Sequence, residues 1–163
     1  MTFPSDAHLH LLLNHLPIVG TAFLTLLLLI GLVRRSRDVI NVTLVLTIVM
    51  AAAAWPIQNT GEDAEEQVEN APWFSETRVH EHEEAAERAT IALTVAAVLA
   101  AAALFRRRSK PDDRTVAGAA FAALAVAAVL YGLAGKSGGL IRHSEEIDPA
   151  APAGAAGPTL DRD

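Results

Sequence analysis

The chain contains six histidines, His8, His10, His15, His80, His82 and His143, placed at the ends of apolar stretches rather than along them. Imidazole is the commonest protein ligand for zinc, copper and haem iron, so this grouping points to a metal or haem site at one face of the molecule. Cysteine is absent. That removes disulfides, thiolate metal sites, iron–sulfur clusters and covalent haem attachment, and leaves histidine and packing to hold any haem. No nucleophile motif joins the Ser, His and carboxylate residues, so the chain reads as a binding or redox protein rather than an enzyme by itself.

The elements that must position these histidines are four long apolar segments. The run 11–33 is interrupted only by Asn14, His15 and small or hydroxyl residues, and as a helix it would be roughly 34 Å long, enough to cross a bilayer. Residues 39–57, 89–105 and 115–134 form three further stretches without a charged residue. The third span extends to about residue 85, with Arg88 snorkelling to the interface. A soluble bundle would need a polar stripe along each helix, and the stripes are missing. The expected fold class is therefore all-α: an integral membrane four-helix up-down bundle over residues 1–143.

Charge orients the bundle. Arg34, Arg35 and Arg37 lie between spans one and two, and Arg106, Arg107, Arg108, Lys110 and Arg114 lie between spans three and four. The positive-inside rule puts both basic connections in the cytoplasm and both termini on the non-cytoplasmic side. Asp6 and the lack of Lys or Arg before His8 argue against a cleaved signal peptide. Segment 58–84 then reads as an outer acidic loop, with a short helix over 62–69 capped by Thr60 and closed by Asn70 and Pro72. Trp73 and Phe74 suit an interfacial anchor, and Ser75 a cap for a helix running through His80 and His82 into span three. The net charge of −6 belongs to this outer face and argues against nucleic acid as a partner. The tail 144–163, rich in Ala, Pro and Gly, has too little bulky apolar surface to fold alone and is expected to be disordered or draped on a partner.

Helical periodicity separates the histidines. His8 and His15 share a face, whereas His10 points roughly 140° from His15. His15 sits about 6 Å inside span one, where a polar group usually faces the bundle interior. His82 continues through Ala85, Ala86 and Ala89, and His80 through Glu83, Glu84 and Glu87, so the expectation is His15 and His82 inward and His80 outward. Alternatively, a buried His15 hydrogen-bonds only to a neighbour such as Asn14 or Thr60.

The run His10-Leu-Leu-Leu-Asn-His15-Leu-Pro17 resembles the opening His-Pro-x-x-x-His-x-Pro pattern of a bacterial family of four-helix membrane proteins catalogued as domain of unknown function 2231. Thr60-Gly61, a histidine before span three, and Gly138-Gly139-Leu140-Ile141 ahead of His143 extend the likeness. Leu11 stands in place of the family's first proline, and the closing Gly-Gly to His spacing is tighter. The resemblance implies a four-helix fold with histidines gathered at one face, in a family some of whose members are suspected of holding haem. It supplies no activity.

Three classes follow. In the first, His15 and His82 bind a b-type haem from opposite sides, with Arg78, Arg88, Lys136 or Arg142 on the propionates, for electron transfer at the periplasmic face of a bacterial inner membrane. Other membrane redox subunits or periplasmic cytochromes would be its partners. In the second, His10, His15, His80 and His82, with His8 and His143 as lesser candidates, form a copper or zinc site. In the third, the chain is an accessory subunit whose spans pack in the bilayer against partners. No histidine or methionine pair lies near the basic ends of the spans, so a second haem stacked across the membrane has no ligands.

Overall fold

A computed structural model describes residues 6–71 and 73–147, excluding the side chains of residues 6, 7, 142 and 144–147. It consists of helices α1 (Asp6–Leu13), α2 (His15–Arg34), α3 (Arg37–Val68), α4 (Glu76–Ser109) and α5 (Thr115–Ile147). Four segments, His8–Arg34, Arg37–Val68, Glu76–Ser109 and Thr115–Ile141, are long and apolar enough to cross a membrane. The helices form a ring in which α2 packs on α3, α3 on α4, α4 on α5 and α5 back on α2, while α1 lies against α3.

Small residues hold this ring together. Ala89, Leu93, Ala96, Ala100 and Ala103 of α4 face Ala117, Ala120, Leu124, Ala127 and Tyr131 of α5, all of them buried. Alanine at three- and four-residue spacing lets two backbones approach closely, which is how helices associate where lipid supplies no hydrophobic drive. Many large apolar side chains point outward, Val19, Phe23, Val33, Val98, Phe105 and Val129 among them, while Leu28, Ile40, Leu44, Leu93 and Leu124 are buried with the alanines. An outer face of large apolar side chains, where a soluble bundle would be polar, suits a hydrocarbon surround.

Hydroxyls along the spans are satisfied within their own helices. Thr21 donates to the Pro17 carbonyl at 2.7 Å, Thr43 to Val39 at 2.7 Å, Thr47 to Thr43 at 2.9 Å and Thr90 to Ala86 at 2.9 Å. Each such bond removes a donor that hydrocarbon could not accept.

Both basic connections meet at one end. The Arg37 guanidinium grips Asp112 through two bonds of 2.9 and 2.6 Å, Arg106 pairs with Asp113 at 2.5 Å, and Arg114 donates to the Leu32 carbonyl at 3.2 Å. Asp113 also accepts the Thr115 amide at 2.9 Å, and this bond, followed by the Arg106 partner, holds its carboxyl well below the usual carboxylate range. The resulting stability is present above ordinary carboxylate pKa values and is lost on acidification through the depressed one.

Several sequence expectations change. Segment 58–84 is not a loop with a separate helix 62–69. α3 continues to Val68 and α4 starts at Glu76, so the connection is short. Pro56 removes one amide donor without ending α3, and Thr60, expected as a cap, donates instead to the Ile57 carbonyl at 2.6 Å inside the helix. Ser75 occupies the N-cap of α4 without a side-chain capping bond. Span one is two helices joined at Asn14, because Pro17 cannot donate to the turn before it. α5 runs past residue 134 to Ile147, with a kink at His143, so the expected tail begins later, and residues 148–163 lie outside the described part.

The tight α4–α5 seam generates a test. Ala100→Leu, at a fully buried position, is expected to destabilise the chain by about 1–3 kcal/mol through overpacking. Ala101→Leu, on the exposed face, should leave thermal unfolding in detergent unchanged. Equal tolerance at both positions would contradict the packing described.

Candidate functional site

At the end opposite the two basic connections, α1, α2, α3, α4 and α5 line a half-open pocket of about 40 Å³. Its polar lining comes from His10, Asn14, Gln58, His82, Thr90 and Tyr131, and its apolar walls from Pro17, Ile18, Ala54, Ile57, Ala86 and Ala134. The α2 stripe Pro17, Thr21, Leu24, Leu28 and Gly31 is buried. Extended backwards at helical spacing, it passes through Asn14 and His10.

The tautomers of both cavity histidines follow from their partners. Thr60 gives its hydroxyl proton to the Ile57 carbonyl, so its oxygen, 3.0 Å from His10 Nδ1, must accept from the imidazole. His82 Nδ1 lies 2.9 Å from the Ala134 carbonyl and 3.3 Å from Ser137 Oγ, and a carbonyl only accepts. Each ring therefore carries its proton on Nδ1 and its lone pair on Nε2. A histidine whose Nδ1–H is held by an oxygen is the arrangement that aims Nε2 at a ligand.

Oxygen lone pairs add to this. Asn14 Oδ1 and Gln58 Oε1 are buried and without a hydrogen-bond partner. Thr90 sends its proton to Ala86, so the contact of 3.0 Å with Tyr131 is a phenol donating to the threonine, which leaves the phenol oxygen as a further acceptor. The cavity lining thus includes several unshared electron pairs, beside the amide N–H groups of Asn14 and Gln58. Such a lining suits a cation or a proton-donating ligand.

Glycines fit against both rings. A Cβ at Gly61 would lie 3.3 Å from His10 Cε1, and one at Gly138 would lie 3.0 Å from His82 Cε1 and 3.2 Å from its Nδ1. The Thr60-Gly61 and Gly138-Gly139 pairs singled out in the sequence thus serve the two histidines directly, one supplying a proton acceptor and both supplying clearance.

The other sequence candidates fall elsewhere. His15 was expected to face inward, but it is exposed, with Nδ1 donating to the Leu11 carbonyl at 2.9 Å, because the inward stripe passes through His10, roughly 140° away. His15 and His82 are not brought together. His80 is exposed, 3.5 Å from Glu84, and Arg88 pairs with the same Glu84 at 2.6 Å. His8 and His143 are exposed, and so is Lys136. Arg78 donates to the Leu140 carbonyl at 2.6 Å, tying α4 to α5 beside the site, and the Arg142 side chain lies outside the described part. Among the described residues, no three His, Cys, Asp or Glu side chains converge as a metal-ligating group. Sequence reasoning missed Asn14, Gln58 and Tyr131. For the first, extending the Pro17–Gly31 stripe backwards was the available signal.

Comparison of the chain with family models, with curated proteins and with solved structures finds no match. The site must therefore be read from its own chemistry.

Thr60→Val removes one acceptor of the His10 imidazole, the hydroxyl 3.0 Å from Nδ1, while keeping the side chain's shape and leaving the Ile57 backbone as a partner. It is expected to cost about 1 kcal/mol. Imidazole ¹⁵N spectra should show one Nδ1–H tautomer for His10 in the parent and a mixture in the variant. A single unchanged tautomer in Thr60→Val would remove Thr60 as the group that sets it.

Proposed function

We propose that this chain is a multi-pass membrane protein that binds a divalent transition metal ion, copper or zinc, through His10 and His82 at its non-cytoplasmic face. The observation that supports this reading is the matched state of the two imidazoles: both line one cavity, and both have Nδ1 engaged by oxygen, so that both Nε2 atoms carry lone pairs. The Asn14 and Gln58 oxygens supply the remaining donors, a nitrogen–oxygen set that copper(II) accepts well and zinc tolerates. A metal ion there would provide a redox or Lewis-acid centre. The chain's own part is to fix the ring tautomers and to surround the donors with alanine, proline and isoleucine.

The residues do not fit the haem expected from the sequence. A cavity of about 40 Å³ holds an ion or a few waters, whereas pockets for small organic ligands run to roughly 300 Å³ and more. The pair His15 and His82 cannot sandwich one iron, since His15 is on the exposed side.

Orientation rests on charge. Eight cationic side chains, from Arg34, Arg35 and Arg37 to Arg106, Arg107, Arg108, Lys110 and Arg114, occupy the two connections at one end. The positive-inside rule places that end in the cytoplasm and the histidines across the bilayer, in an up-and-down threading. A reporter fused at Ser109 should behave as cytoplasmic, and one at the N-terminus should not.

The metal reading is tested by titrating the purified chain with copper(II) and zinc(II), following heat and, for copper, the nitrogen hyperfine pattern of its spin resonance. One ion per chain with two imidazole nitrogens is expected. His10→Ala and His82→Ala should each weaken binding by tenfold or more, on the order of a lost ligand or its support, while His15→Ala and His80→Ala leave it unchanged. Metal binding that survives the double loss of His10 and His82 would sink the proposal, as would a stoichiometric haem with a Soret band in chain made under ample haem supply.

A further inference from the structure

A second cavity, of about 190 Å³, opens at the arginine end and is lined by Arg35, Arg37, Ile40, Arg107, Pro111, Asp112 and Arg114. Four guanidiniums surround it against one carboxylate, and that carboxylate is already gripped by Arg37. The lining residues thus carry a surplus of positive charge.

Arg107 is the unusual member. It is only 6% exposed, and its partners are neutral: Nε donates to Asn41 Oδ1 at 2.7 Å and one terminal nitrogen to the Asp113 carbonyl at 2.9 Å. A buried cation solvated by neutral dipoles alone is costly and gains from an anion beside it. The Asp113 carboxylate does not serve, because it is turned to Arg106 and to the Thr115 amide. Arg114 likewise spends one donor on a neutral group, the Leu32 carbonyl. Arg35 forms no side-chain hydrogen bond or ion pair among the described residues, and its backbone is left-handed, at φ 56 and ψ 29, closing α2 where glycine would be the unstrained choice.

The geometry points to a phosphate-binding pocket formed by Arg35, Arg107 and Arg114, with Arg37 at its rim. Planar guanidiniums match phosphate oxygens through paired, charge-assisted bonds, and the cavity has the size for one such group with some water. The pocket sits where the apolar segments end, just after Val33 and Phe105, which in a spanning bundle would bring it to the lipid headgroups. A phosphodiester of an anionic lipid and free inorganic phosphate share the chemistry recognised here.

The test uses the full chain in nanodiscs of phosphatidylcholine with or without phosphatidylglycerol, with inorganic phosphate as the soluble probe. Thermal unfolding and bound lipid, read by native mass spectrometry, are followed for the parent, Arg35→Gly, Arg107→Gln and Arg34→Gln. Arg35→Gly suits the left-handed helix end and keeps the fold, and Arg34→Gln makes the same charge change outside the pocket. The expected result is retention of phosphatidylglycerol that falls roughly tenfold or more in Arg35→Gly and Arg107→Gln but not in Arg34→Gln. Saturable stabilisation by inorganic phosphate without lipid preference, lost in the same variants, supports the pocket and assigns it to the free ion. If neither probe binds, or if Arg34→Gln and Arg35→Gly lose binding equally, the pocket is overturned. Should Arg107→Gln fail to fold, the Arg35→Gly and Arg34→Gln pair decides alone.

Discussion

Hydrocarbon cannot accept or donate a hydrogen bond, and most of the features of this molecule answer to that constraint. Backbone groups in the spans are satisfied by helix formation, and threonines bond back to their own helices. Against that background of complete pairing, a group left unpaired at the end of a span stands out. Asn14 Oδ1 and Gln58 Oε1 are such groups, and Arg107, paired only with neutral oxygens, is a related case; each residue lines one of the two cavities. The same constraint that makes the spans legible makes the functional ends visible.

Packing by alanine connects the constraint to the site. Because α4 and α5 meet through small residues, the His82 ring can cross from one helix to the Ala134 carbonyl of the other, with Gly138 leaving room for it. A leucine-packed seam would hold the backbones farther apart and leave that Nδ1–H without its carbonyl. On the other side, His10 reaches Thr60 because α1 continues the direction of α2 far enough to lie along α3. Neither ring is positioned by its own helix alone. Each tautomer is set by a neighbour.

The apolar spans were legible from the sequence because spanning length and missing charges are properties of single segments. The course of α3 was not: Pro56, Gly61 and the polar run after it carry the usual signs of a helix end, yet pairing with α1 and α4 carries the helix on to Val68. The side chains of His82 and His80 fall on the faces that the alanine and glutamate stripes imply. In the first helix, depth within the apolar run points to His15. Register would have favoured His10, since Pro17, Thr21, Leu24 and Leu28 define the buried face and His10 continues it. Orphaned amide oxygens have no sequence signature, because their lack of partners depends on what four other helices bring near them.

The two cavities lie at opposite ends of the bundle, and the described residues buried between them are mostly apolar. Leu24, Leu28, Leu44, Leu93 and Leu124 are buried with the alanines of α4 and α5, and the buried threonines among them spend their protons within their own helices. A hydrated ion entering from either end would have to exchange its water for alkyl groups, at a cost that no nearby donor offsets. Under the two proposed readings, the bundle would hold a charge at each end, with an apolar core between. On this view the ligand lone pairs at one end and the guanidiniums at the other are independent sites on a shared apolar frame, and a change at either should leave the chemistry of the other intact.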